Sequence, residues 1–125
     1  LVGDLTTGAI FGYDTKTYSD NGQPLPAIRS CSTLQNGLEE QPTASFALDM
    51  DVGVGLESGD DPKVSLRTSK DGGRTWSNEL IRSIGKVGEY SKRVIWNRVG
   101  GGRKVVFEVT ITDPVKRNIV GAYIS

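Results

Sequence analysis

Apolar and polar residues alternate along much of this chain, the period-2 signature of strands with one buried face. Phe46, Leu48, Met50 and Val52 share one face, with Ala47, Asp49 and Asp51 on the other. Val64 and Leu66 alternate with Lys63, Ser65 and Arg67. Val105, Phe107, Val109 and Ile111 alternate with Val106, Glu108, Thr110 and Thr112, the strongest strand signal in the chain. Shorter strands are predicted over residues 9–13, 29–33, 80–83, 92–97 and 119–124. The breaks carry turn chemistry: Asp20-Asn21-Gly22, residues 55–62, residues 85–88, Gly100-Gly101-Gly102 and Asp113-Pro114. Residues 19–26 hold Pro24 and Pro26 without periodicity and predict a long loop; residues 35–43 leave room for one helical turn. About eight or nine short strands in 125 residues predict a single all-β domain, an antiparallel β-sandwich or small barrel. A complete propeller does not fit, because at ~40–45 residues per blade the chain supplies fewer than the roughly four blades closure needs.

One turn has a more specific chemistry. Ser69-Lys70-Asp71-Gly72-Gly73-Arg74-Thr75-Trp76 fits the pattern Ser-x-Asp-x-Gly-x-Thr-Trp. This resembles the Asp-box, a β-hairpin motif found in sialidases and in many unrelated β-rich proteins. The residue types explain the pattern. Asp71 can accept hydrogen bonds from backbone N–H groups across the bend, Gly72 and Gly73 reach backbone angles closed to other residues, and Trp76 can cover the turn. Ser69, Asp71, Gly73, Thr75 and Trp76 are therefore expected to hold a hairpin, a structural role and not a catalytic one.

Sixteen glycines, against a usual share of ~7%, agree with many turns. The single cysteine, Cys31, cannot form a disulfide within the chain and reads as a small apolar filler. With no histidine, it has no base to activate it, and Ser-His-Asp chemistry and the commonest zinc ligand are also excluded. No apolar run approaches the ~20 residues of a membrane span, and no signal-like stretch is present. The start at Leu1 reads as a domain cut from a longer protein. The net charge of zero conceals an asymmetry: residues 1–62 hold two bases, Lys16 and Arg29, and ten acids, a balance of −8, while residues 63–125 balance at +8. Either the halves interleave and their charges neutralise across strands, or the particle has an acidic and a basic side suited to head-to-tail assembly or to docking on a phosphate backbone.

Three candidate sites compete with plainer readings. Glycoside hydrolysis by analogy with sialidases would need several Asp-boxes on a full propeller; Glu89-Tyr90 mimics an acid–tyrosine pair, but neighbours on a strand point to opposite faces. Gly100-Gly101-Gly102-Arg103-Lys104 is rich in glycine and base, yet Val105 follows the lysine where a phosphate loop needs Ser or Thr and a helix. It reads as a hairpin turn with two solvated bases, or as a contact with nucleic acid or an acidic neighbour. Glu57-Ser58-Gly59-Asp60-Asp61-Pro62 could offer oxygen ligands to calcium but lacks the EF-hand spacing, and a solvated acidic turn is the default. Lys92 through Arg98 interleave bases with Trp96; in a strand, Val94, Trp96 and Arg98 share one face and Arg93, Ile95 and Asn97 the other. No catalytic residue, cofactor or metal is expected. Arg93, Arg98, Arg103 and Lys104 are the candidate interface residues.

Several longer stretches resemble one family. They are Ser69 through Glu79, Ile84 through Tyr90, Arg93 through Gly100, Val106 through Lys116, and Gly121-Ala122-Tyr123-Ile124. Upstream, Gly8 through Asp14, Tyr18 through Pro24 and Leu48 through Gly55 are compatible with it. Together they resemble the C-terminal region of short-tailed phage tail-hub proteins, also called packaged-DNA-stabilisation proteins. The resemblance implies a non-enzymatic virion component, made in the bacterial cytoplasm and built into a homo-oligomeric ring at the tail. Its implied partners are other tail or portal proteins, with direct DNA contact open. It brings no catalytic residue. The competing reading is a carbohydrate- or host-surface-binding β module, favoured by exposed aromatics over a shallow groove. Burial of Trp76, Trp96, Tyr13 and Tyr90 would favour the assembly domain.

Overall fold

The computed structural model describes residues 2–12, 14, 17–20, 23–40, 42–53, 55, 61–86, 88–90, 93–115 and 117–125. Among the described residues, eleven strands follow in chain order: β1 (Val2–Gly3), β2 (Ile10–Phe11), β3 (Ser19–Asp20), β4 (Gln23–Pro24), β5 (Ala27–Ser30), β6 (Ser45–Met50), β7 (Lys63–Ser69), β8 (Leu80–Ser83), β9 (Val94–Asn97), β10 (Val106–Ile111) and β11 (Ile119–Ile124). Every pairing between them is antiparallel. One sheet has the order β5-β10-β7-β8 and a second β11-β6-β9, while β1–β2 and β3–β4 are separate two-stranded ribbons. The two larger sheets do not close on themselves, so of the two architectures expected the sandwich is the one formed, not the barrel. No helix of the described residues is long and apolar enough to cross a membrane.

The alternation visible in the sequence is what joins the sheets. Phe46, Leu48 and Met50 of β6 and Trp96 of β9 meet Val64 and Leu66 of β7 and Phe107, Val109 and Ile111 of β10 in one buried cluster. Phe46 meets the other layer at Phe107, with ring centroids 4.8 Å apart, and lies 5.9 Å from the ring of Trp96 in its own sheet. Such tilted aromatic pairs add a fraction of a kcal/mol to about 1.5 kcal/mol beyond the area they bury.

Several boundaries differ from expectation. The strand predicted over 29–33 is Ala27–Ser30, because Ala27 pairs with Ile111 and the ladder ends at Ser30 opposite Glu108. The predicted loop over 19–26 contains the ribbon β3–β4, while Asn21 and Gly22 lie outside the described residues. Among the described residues, 35–43 hold no helical turn; Asn36 and Glu39 close a tight bend in which Gly37 takes φ 60°. Residues 100–104 do not turn a hairpin, since they lead from β9 in one sheet to β10 in the other. The strand order also answers the charge question. β6, from the acidic half, lies between β9 and β11 from the basic half, and β5 lies beside β10. The halves interleave, and the sequence asymmetry does not become two opposed sides.

Candidate functional site

Strand direction sets which loops meet. Val106 begins β10 opposite Ser69, the last residue of β7, and Ser45 at the start of β6 pairs with Asn97 at the end of β9. The turn after β7 and the connection after β9 therefore lie at the same end of the sandwich. The first is tied by a dense set of bonds. The Ser69 hydroxyl donates to Asp71 Oδ1 at 2.7 Å and accepts from the Gly73 N–H at 2.8 Å. The same Oδ1 accepts from the Arg74 N–H at 3.0 Å and the Thr75 N–H at 2.9 Å, and Oδ2 accepts from the Thr75 hydroxyl. Ser69 is buried at 1% exposure, so its paired hydroxyl satisfies a group that could not be left bare. The hydroxyl and N–H of Thr75, then the Ser69 hydroxyl, hold the Asp71 carboxyl well below the usual carboxylate range. Gly72 and Gly73 take φ values of 76° and 101°, where a side chain would be strained. Trp76 is half-buried, and the Arg67 guanidinium stacks over it at 4.5 Å from the ring centroid while bonding Glu108 at 2.7 Å.

The second loop is docked on the first. The Gly72 N–H donates to the Lys104 carbonyl at 2.9 Å, and Asp71 and Lys104 form an isolated parallel bridge. Gly102 packs so closely under Lys70 that an added Cβ would lie 3.0 Å from the lysine Cβ. The two docked loops form a ridge on which Lys70 and Arg74 of the first and Arg98, Arg103 and Lys104 of the second are all exposed. None of these five bases forms a salt bridge among the described residues. Glu39, Glu40 and Glu79 lie on neighbouring segments of the same end, so the basic character belongs to the ridge and not to the whole end.

Of the four candidate interface residues, Arg98, Arg103 and Lys104 lie on the connection between β9 and β10, and Arg93 does not. Arg93 precedes β9 and lies at the opposite end, since Val94 pairs with Leu48. Arg98 was expected to share a face with Val94 and Trp96; instead it leaves the strand with φ 58° and is exposed, while Val94 and Trp96 are buried. The spacing of Lys70 and Arg74 had offered only a turn, and their membership of the ridge depends on a loop thirty residues downstream that no local pattern reveals.

The other candidates resolve unevenly. Residues 57–60 of the suggested calcium turn, with Tyr13 and Lys92, lie outside the described residues. Asp61 accepts from the Ser83 hydroxyl and from the Gly85 N–H, and its carboxyl is lowered first by Ser83 and then by Lys63, 2.9 Å away. Glu89 and Tyr90 sit in the turn before β9 and not on a strand, so the opposite-faces argument does not apply to them. Trp96 is fully buried and donates from Nε1 to the Leu80 carbonyl at 2.8 Å, whereas Tyr90 is 74% exposed. Cys31, expected as an apolar filler, is exposed; its sulfur accepts from the Phe107 N–H at 3.2 Å.

The sandwich and its loops match a known family, described as bacteriophage P22 Gp10, β-sandwich, over residues 31–125. The chain belongs to this family. No curated protein matches the chain. The P22 Gp10 match includes all of β6 to β11, hence the whole three-stranded sheet and three strands of the other, together with both loops of the ridge. Strand β5 and the two ribbons precede it. A P22 Gp10 β-sandwich is a phage structural domain, which makes this chain part of a phage structural protein and of the virion.

Proposed function

We propose that this chain is a non-enzymatic assembly domain of a phage tail or head-completion protein, working in a homo-oligomeric ring that stabilises packaged DNA. In this reading the ridge of Lys70, Arg74, Arg98, Arg103 and Lys104 faces the phosphate backbone of the duplex. The observation that carries it is the convergence of five exposed bases, unpaired among the described residues, on two loops locked together. The Ser69–Trp76 turn acts as an Asp-box whose work is structural: it holds Lys70 and Arg74 beside Arg103 and Lys104. A contact of this kind releases counterions, so affinity falls with salt by about 0.9 log units per log unit of salt for each phosphate neutralised. Fluorescence anisotropy with a short duplex over a salt series tests it. Replacing Arg98, Arg103 and Lys104 with Gln is expected to flatten that slope by up to about three units. An unchanged slope removes the ridge from the DNA contact.

A second reading has one observation in its favour. On the outer face of the three-stranded sheet, Tyr123, 64% exposed, lies beside a shallow depression of about 300 Å³ lined by Asp49 and Arg93 among others. An aromatic platform flanked by an acid and a base suits a sugar ring. Binding of a glycan on an array, lost in Tyr123→Ala, would establish this host-surface module; retention of binding in that variant would remove it.

A further inference from the structure

The two long sides of the sandwich are finished differently. On one side, the edges β8 and β9 are stitched between sheets: Trp96 Nε1 donates to the Leu80 carbonyl at 2.8 Å, and Arg82 Nε to the Ile95 carbonyl at 3.2 Å. On the other, the edges β5 and β11 stand apart across a cleft of about 690 Å³, with Phe46, Leu48, Phe107 and Val109 in its lining. Ala122 and Ile124 pair with Leu48 and Phe46, whose side chains point inward, yet both remain exposed because β5 does not cover them. The edge strand itself, Ile119-Val120-Gly121-Ala122-Tyr123-Ile124, has no charge and no proline. Natural sheets usually protect such an edge with charge, proline or a cover; here a register shift between Ile119 and Gly121 is its one guard.

The same chain carries an apolar ribbon that, among the described residues, packs on no other strand. β1 and β2 pair only with each other, and an isolated pair of strands is marginally stable at best. Val2 is 39%, Leu5 105% and Ile10 73% exposed. The ribbon is nevertheless shaped: the Asp4 carboxylate accepts from the Thr6 N–H and the Thr7 hydroxyl, both at 2.8 Å, and the Asp4 N–H donates to the Ala9 carbonyl at 2.8 Å. Asp4 is the one charged residue among residues 1–12, whereas the described lining of the cleft holds Arg29 and Arg117, the latter also bonded to the Asp113 carbonyl at 2.9 Å. The segment that follows the ribbon is anchored at this cleft, where Arg117 Nη2 donates to the Tyr18 carbonyl at 3.2 Å.

We propose that the cleft between β5 and β11 receives the β1–β2 ribbon of a second copy of this chain as an added strand pair along β11. The ribbon is tethered at the rim and unpaired with its own body, as strand exchange between neighbours requires. Its apolar side chains cover the floor, and its one acid comes to a rim of two arginines. Because the donor ribbon and the acceptor edge are different surfaces, donation in one direction is head-to-tail and propagates or closes into a ring, whereas reciprocal donation closes a two-fold dimer. The inference rests on the assembly reading above and supplies its contact; it makes no use of the ridge, so either can fail while the other survives.

Cys31 lines the cleft and is the sole cysteine, which makes it a reporter already in place. The full chain carrying Cys31→Ser with Ile10→Cys is mixed with the wild-type chain bearing a size tag, then mildly oxidised. Disulfide-linked heterodimer is expected at about tenfold or more the yield of a Cys31→Ser, Asn78→Cys control, because docking raises the effective concentration of the two thiols. Leu5→Cys in place of Ile10→Cys guards against a ribbon weakened by the substitution. The heterodimer should persist in about 1 M salt, where charge-driven contacts are screened. Equal yields for ribbon and control cysteines overturn the proposal. So does a chain with Ile10→Cys alone that forms only the internal disulfide, which would mean the ribbon folds onto its own cleft.

Discussion

The β8–β9 side and the β5–β11 side of this sandwich face the same problem, that of covering the gap between two sheets, and meet it differently. At β8–β9 an indole and a guanidinium cross the gap and bond carbonyls of the opposite edge. Trp96 reaches complete burial there. At β5–β11 no such crossing exists among the described residues, and Val120 at 68% and Ile124 at 43% stay exposed. The closed side spends its largest side chain on the domain's own stability. Leu80 and Ile81 of β8 are exposed as well, so the sides differ in the bonds that cross the gap. The open side leaves apolar side chains of β11 in contact with solvent, which suits a domain completed by a neighbour.

The comparison can be broken most forcefully at Trp96. Trp96→Ala removes a fully buried indole and its bond to Leu80, and should cost about 3–5 kcal/mol in denaturant unfolding. A loss below about 1 kcal/mol would mean that the closed side does not hold the sheets together. Next comes Asp71, because the turn it ties delivers β8 to its place opposite β9. Asp71→Ala should lower Tm by about 3–8 °C for a domain of this size. The dependence on pH has a definite sign. The folded pKa of Asp71 lies below its ordinary value of 3.8, so its stabilisation is complete above that value and fades as pH falls toward the folded pKa. Asp71→Asn should therefore narrow its deficit against wild type as the solution is acidified below pH 3.8, and a deficit independent of pH would contradict the hydrogen-bond account.

Smaller effects sharpen the contrast. Arg82→Ala deletes one bond to the Ile95 carbonyl on an exposed edge and should cost about 0.5–1.5 kcal/mol. Val120→Ala on the open side should change the stability of the dispersed chain by no more than about 0.5 kcal/mol. A larger loss would show that the open edge is already covered within a single chain.

How much of this was legible depended on whether a residue's role is set locally. The inward faces of β6, β7 and β10 follow from alternation alone, since Phe46, Leu48, Val64, Leu66, Phe107 and Val109 each occupy a period-2 position. The Ser69–Trp76 turn was equally open to reading, because its bonds join residues at most four apart. Sheet order was not. That β9 and β10 fall in different sheets, making residues 100–104 a crossing between layers, follows from pairings dozens of residues apart. For the same reason Arg93 was grouped with Arg98: five positions along the sequence became the length of a strand, and the two stand at opposite ends. The ribbons β1–β2 and β3–β4 escaped because two-residue strands carry no period to detect.

Hydrogen exchange on the full chain, read at β9 and β11 over a concentration series, tests the central contrast most directly. Val94–Asn97 should be protected at every concentration, while Ile119–Ile124 should exchange rapidly in the dispersed chain and gain protection as copies associate. Protection of Ile119–Ile124 equal to that of Val94–Asn97 in the dispersed chain would contradict an open side awaiting a partner.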